Sequence, residues 1–336
     1  MANIVFSEGT NLQNSIFGKS QAPIRMLLEN KAEAWEQQSL LPTMFSVGKS
    51  QHWGEKFTAM TAMTGFQPVG ENGEYPLDGM QESYSKFLEH MTWKDSFALS
   101  REIVEDSKIM DLKKKPTAFV NGFYRTREQF GAALYCAAVA KQTTASFGGK
   151  KFDVTAADGK CLFDKAHPSI LGKGSQSNQF ADAFSADALG AAETAMQEFK
   201  GDNGEVLGVI PDTILIPNDH ELKKKVFAAI GADQDPDTAN NGFNYQFGRW
   251  TVAVDPYLNQ FLAKGVKPWM LLASGYNEEY AGAVWLDRTE LEVKSRINDG
   301  NDANIWSGYA RFSAGFNDWR FACCGGISGG TQLIGG

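Results

Sequence analysis

The chain has 336 residues, enough for two domains or one large α+β unit with a sizeable core. Its net charge of −8 argues against general binding to nucleic acid, which needs clustered Lys and Arg. No apolar run approaches a membrane span, no secretory signal pattern opens the sequence, and Cys136, Cys161, Cys323 and Cys324 form no CxxC pair, so a disulfide scaffold, a zinc motif and a membrane span are all set aside in favour of a soluble protein of a reducing compartment.

Residues 1–45 read as a polar arm, with a short helix over 24–38 and no wide apolar stripe, ordered by lying on another surface. Residues 46–92 read as two long strands joined by a Gly-rich tip, "VGENGEYPLDGM". An isolated two-stranded ribbon is marginal in water, so this one needs a surface to lie on, whether its own chain's or another's. The clearest helix spans 116–145, with Pro116 in its first turn and Phe119, Phe123, Phe130, Leu134 and Ala138 near one face; Gly148-Gly149 ends it.

A second helix follows Ser185 as N-cap, with Leu189, Ala192, Met196 and Phe199 on one face and Gly201 as its stop. "PDTILIP" is a buried-type strand, and the helix after it carries a capping-box spacing between Asn218 and Glu221. Strands are predicted at 243–256, 267–274, 279–286 and 288–297, the last alternating with Leu291, Val293 and Ile297 on one face, and two more around the "GFND" turn. The expected closure pairs 288–323 with the strand at 93–103 beside the long helix.

The segment "DGKCLFDKAHP" holds the one combination with the ingredients of chemistry, Cys161 six residues before His167. A nucleophilic thiol needs a base or a helix N-terminus. Asp158-Gly159 is instead a turn signal and His167-Pro168 closes a segment. A structural role is the main reading; catalysis or metal binding by this pair stays open. P-loop, H-E-x-x-H and G-x-G-x-x-G patterns are absent from the sequence, and no catalytic, cofactor-binding or metal residues are assigned and no cofactor is expected.

The order of arm, ribbon, long helix, α/β block and returning strands resembles the major capsid proteins of tailed bacteriophages with the HK97-like fold. "GKCLFDKAHP" is similar to a DG-x-x-LF-x-x-HP segment of Mu-like major head subunits, "PDTILIPNDHELKKKV" to their strand-to-helix segment, and "ARFSAGFNDWRFACCGG" to their closing strands. The resemblance covers roughly residues 45–325. It implies an α+β, HK97-like capsid fold: an N-terminal arm (1–45), an extended β-ribbon loop (46–92), a discontinuous peripheral domain (93–154 and 287–325) with a spine helix at about 117–145, an axial α/β domain (155–286), and a flexible Gly-rich tail (326–336).

What this implies about function is a non-enzymatic subunit that assembles as hexamers and pentamers into an icosahedral virion shell around double-stranded DNA. Its expected partners are further copies of itself, a separate scaffolding protein, a portal and decoration proteins, with assembly in the bacterial cytoplasm, no membrane, and no sequence-specific contact with the genome. Candidate contacts between subunits are Trp53, Phe57, Phe66, Tyr75, Tyr84, Phe87 and Trp35. Lys49 and Lys56, with Asn298, Asn301 and Asn304, are the residue types an isopeptide cross-link would use. An encapsulin-like compartment shell and a soluble Cys/His enzyme are the alternatives.

Overall fold

The computed structural model describes residues 4–9, 12–60, 82–106, 109–172, 174–231 and 243–327, with the single positions 66, 68, 69, 71, 74, 75 and 77. Most of the predicted Gly-rich tip and of the 326–336 tail therefore lies outside the described residues.

The arm lies on its own chain. Strand β1 (Val5–Glu8) and helix α1 (Gly18–Glu36) precede a one-turn helix α2 (Leu41–Met44) and strand β2 (Ser46–Lys49). Helix α1 is longer than its sequence suggests because a narrow stripe suffices: Ile24, Leu28 and Ala32, at i, i+4 and i+8, bury one row. The ribbon follows as β3 (Gly54–Met60) and β4 (Glu82–Glu89), antiparallel from the Gly54–Glu89 pair to the Met60–Glu82 pair. The long return strand breaks at His90, and β5 (Met91–Leu99) enters a different sheet.

Helix α3 (Arg101–Glu105) leads to the long helix α4 (Ile109–Val139). Both of its expected ends shift. Pro116 sits inside the helix, in its eighth position, rather than in the first turn. The C-terminus comes well before Gly148: Lys141 turns left-handed at φ 57°, its N–H meets the Ala138 carbonyl at 3.0 Å, and the Gln142 N–H meets the Ala137 carbonyl at 2.9 Å. This pair of bonds is the Schellman closure usually given to glycine. Gly148 and Gly149, at φ 57° and 74°, instead make the two-residue turn joining β6 (Thr144–Phe147) to β7 (Lys150–Asp153).

Two short strands, β8 (His167–Pro168) and β9 (Ser175–Gln176), precede α5 (Ala186–Gln197), which is capped by Ser185 through the Ala188 N–H at 3.1 Å. Strand β10 (Thr213–Pro217) runs into α6 (His220–Ile230), whose cap is Asp219 rather than Asn218: its carboxylate accepts the Leu222 N–H at 2.9 Å. Then come β11 (Thr251–Asp255), α7 (Leu258–Phe261), β12 (Trp269–Leu272) and α8 (Ser274–Tyr280). The strands expected at 279–286 and 288–297 are one strand, β13 (Ala283–Asn298), with register shifts between Asp287 and Glu292. It pairs antiparallel with β14 (Ala303–Phe316), and β15 (Ala322–Gly325) closes the described chain.

The chain is α+β, as its element order predicts. One sheet runs β1-β13-β14-β5, with β2 also on β13; β5 pairs with β14 from Leu99–Asn304 to Met91–Phe312. The second runs β11-β10-β12-β15. Thus Ala322–Gly325 leaves the first sheet's neighbourhood and finishes the second one. A continuous core joins both, from Phe130 and Trp285 through Phe312 to Ile214, Trp269 and Phe321. All four cysteines are buried and free.

Candidate functional site

Two segments about 150 residues apart in sequence, each part of the resemblance above, meet in space. Asp158-Gly159 forms a turn with Gly159 at φ 77°. The turn presents the Asp158 carboxylate to His167 Nδ1 at 2.6 Å. His167 Nε2 faces Asn178 Oδ1 at 3.2 Å. Asn178 is oriented by its other end: its amide donates to the carbonyls of Leu162 at 2.7 Å and Ala322 at 3.0 Å. The imidazole then lies flat on Trp319, with centroids 4.3 Å apart. Both ring nitrogens are engaged, so neither is free to serve Cys161.

Cys161 goes elsewhere. Its Sγ–H donates to the Gln142 carbonyl at 3.4 Å, and burial, followed by the charge of Asp164, pushes the thiol's pKa up. A thiol held protonated in this way is a poor nucleophile.

Beside the His167–Trp319 stack is a buried ionic network. Arg320 covers the Trp319 ring at 5.0 Å, reaches Asp202 at 3.2 Å and Asp318 at 3.2 Å, and donates through Nε to the Lys200 carbonyl at 3.1 Å. Tyr276 donates to Asp318 at 2.9 Å. The ribbon's inner strand docks on the outside of this network. Ser83 donates to Asp202 at 2.8 Å, and Lys86, buried, donates to Asp153 at 2.5 Å and to Thr155 at 2.8 Å. Burial alone raises the Asp153 carboxyl, but Lys86 and Thr155 outweigh it and hold the group low. Tyr84 lies in the same seam; burial and then the charges of Asp158 and Asp202 raise its phenol.

The candidate contact aromatics separate into two groups. Trp53 is 64% exposed and packs on the exposed Phe87 with centroids 5.0 Å apart. Phe66 and Tyr75 stand in solvent at 109% and 96% exposure. The other three are used within the chain. Phe57 packs on Leu88, Val284 and Leu286; Tyr84 sits in the seam; Trp35 lies over Tyr124 and donates to Asn121 at 2.8 Å. Of the cross-link candidates, Lys49 is paired with Glu290 at 2.6 Å and Asn304 is wholly buried.

A family model described as phage capsid protein matches residues 84–324. The chain belongs to the phage capsid protein family. The matched span of this capsid-family chain runs from the ribbon's inner strand to β15 and so includes the whole His167–Trp319–Arg320 junction. Solved structures similar to it include the capsid of Myoviridae phage XM1, at 12% identity over 84% of this chain and 88% of that one, with a TM-score of 0.49. The capsid of cyanophage P-SCSP1u follows at 10% identity over 84% and 86%, with a TM-score of 0.48. A virus-like particle from Pyrococcus furiosus is similar at 9% identity over 90% and 97%, with a TM-score of 0.47. A search of curated proteins finds no match.

Asp202, Asn178 and Lys86 were not singled out from the sequence. Asn178 falls in a polar Gly/Ser/Asn stretch and Asp202 directly after the helix-stopping Gly201, and one lysine in a ribbon carries no signal until the fold buries it.

Proposed function

We propose that this chain is the major capsid subunit of a tailed phage, with the HK97-like fold, assembling as hexamers and pentamers into an icosahedral shell around double-stranded DNA. Family membership over residues 84–324 carries the reading. The ribbon supports it: a two-stranded element whose Trp53, Phe66, Tyr75 and Phe87 are left uncovered presents apolar area that a monomer gains nothing by exposing. In this reading the ribbon (46–92) overlaps a neighbouring subunit, α4 is the spine of a peripheral domain built on the first sheet, and residues 155–286 with β15 form the axial domain. The arm, seated on β13 and α4, belongs with the peripheral part.

The role is architectural. The Asp158–His167–Asn178 group and the Arg320 network hold the junction between the two sheets rigid, and the engaged imidazole and buried thiol support a non-catalytic role. The acidic balance suits an interior that encloses DNA without gripping it. Scaffold, portal and decoration proteins are the partners such a shell uses, and the bacterial cytoplasm is where it forms. Expression of the chain alone and with its neighbouring phage genes, read by electron microscopy, tests this. Shells that package DNA support it, whereas shells that enclose a cargo protein point to a compartment.

A further inference from the structure

The face of the first sheet that carries the ribbon's root holds two arginines that form no ion pair among the described residues. Arg311 and Ser313 are two apart on β14 and so share a face, and Arg311 pairs across with Thr289. Arg288 falls in the register shift between Asp287 and Thr289, where a bulge re-aims a side chain. His90, at the break between β4 and β5, is buried on the same face with Nδ1 3.3 Å from the Ser313 hydroxyl. The Nε atoms of Arg288 and Arg311 and Nε2 of His90 are buried with no hydrogen-bond partner among the described residues.

Buried donors without partners are rare in native proteins and call for a missing acceptor. The carboxylates within electrostatic reach of His90 are committed elsewhere. Glu55 accepts from Ser50 at 2.7 Å, and Asp287 takes both Arg127 nitrogens at 2.9 Å. Neither Arg288 nor Arg311 forms an ion pair with a described residue, although both are half-buried. Burial, then the charge of Arg311, lowers the pKa of His90, so the ring is neutral at pH 7 and one of its nitrogens carries the N–H; the tautomer in which the Ser313 hydroxyl donates to Nδ1 is the one that leaves Nε2–H free to meet an acceptor. Two guanidiniums within electrostatic reach of one buried imidazole, each with an unpartnered buried nitrogen, supply donors suited to a carboxylate.

We propose that Arg288, Arg311 and His90 form an anion site that is completed, on assembly, by a carboxylate from the ribbon tip of a second copy of this chain. The stretch 66–82 carries Glu71, Glu74, Asp78 and Glu82 and no Lys or Arg. Glu71 and Glu74 are exposed, as are Phe66, Tyr75 and Leu77 around them. The described part of the ribbon leads away from this site: the eight residues of β4 set Glu82 roughly 25 Å from Glu89 at about 3.3 Å per residue. Tip of one copy to ribbon root of the next is a head-to-tail contact, the type that closes rings. This inference rests on the shell reading for its occupant, but not for the site.

Two readouts separate those parts. On the unassembled subunit, inorganic phosphate is expected to raise Tm above that in chloride of equal ionic strength for the wild type, and not for R288Q/R311Q. Equal shifts in both overturn the site. On assembly, read by light scattering and electron microscopy, R288Q/R311Q and E71R/E74R are each expected to raise the concentration needed for shells at least tenfold. Joining R288E/R311E with E71R/E74R is expected to restore it. Because Glu71 and Glu74 are exposed, their variants report even if an arginine variant misfolds. Wild-type assembly by E71R/E74R, or no rescue by the swap, overturns the occupant. Absence of shells from the wild type with its neighbouring phage proteins overturns the occupant together with the shell reading, while the phosphate result still decides the site.

Discussion

The imidazole of His167 lies on the indole of Trp319, centroids 4.3 Å apart and planes 11° from parallel, and so ties the "HP" turn to the closing "DWR" segment. The contact depends on Asp158, whose side chain is 3% exposed and whose partner is His167. His167→Ala leaves that carboxylate buried with the Lys160 N–H at 3.0 Å as its remaining partner, and loss of the charged hydrogen bond costs about 1.5–3 kcal/mol. Cys161→Ala removes one weak sulfur hydrogen bond and a small volume, and is expected to cost less than about 1.5 kcal/mol. Urea unfolding of both variants checks the order. A larger loss at Cys161 than at His167 would show that the thiol, not the ring, organises the junction.

Asp255 sets a pH dependence. It is fully buried, and burial raises its carboxyl to about 6 against the opposing Tyr257 and Leu258 N–H groups; Glu128, itself raised by burial, pushes the same way. In the unfolded chain the group titrates near 3.9. Between about pH 4 and 6 the unfolded state loses its proton first, so stability falls as pH rises through that window and levels off above it. Asp255→Asn removes this contribution and is expected to be up to about 3 kcal/mol more stable than the wild type at pH 8, and alike at pH 4. Denaturation across pH 4–8 measures it; parallel curves for the two proteins would contradict it.

Lys141 closes α4 at φ 57°, a conformation that costs a non-glycine residue about 1–2 kcal/mol. Part of that gain is offset by glycine's freedom in the unfolded chain. Lys141→Gly is therefore expected to add about 0.5–1 kcal/mol, seen as a rise in Tm of the subunit. A fall in Tm would mean that the lysine side chain contributes more than the strain it sits in.

Lys86 pins the ribbon to the α/β block through Asp153 and Thr155. Lys86→Met keeps the apolar stem and removes the pin. Amides of β4 are expected to exchange several-fold faster while those of β14 stay unchanged, measured by hydrogen exchange and mass spectrometry. Unchanged exchange in β4 would show that Leu88, packed on Val284 and Leu286, holds the ribbon without the ion pair.

Element order was legible because periodicity and caps are local signals. Ser185 caps α5, and the alternation of Leu291 and Val293 places β13's inner face. The ends of α4 were not legible. Pro116 fits either the first turn or an interior, and Lys141 adopts a glycine's conformation with nothing in its type to announce it. The junction was half legible. The motifs around His167 and Trp319 stood out singly, but their stacking, and the burial of Asp202 and Lys86 beside them, exist only once β15 returns the chain to the second sheet. Trp35 illustrates the opposite error: an aromatic in a polar arm looks available for a partner, yet its N–H is held by Asn121 and its ring by Tyr124.

The central claim is that many copies of this chain close into a shell. Negative-stain electron microscopy, with size-exclusion chromatography, of the chain expressed together with its neighbouring phage proteins tests it most directly. Closed particles of uniform size, or rings of five and six subunits, are the predicted result. A monomer that persists at high concentration in the presence of those proteins would contradict the claim.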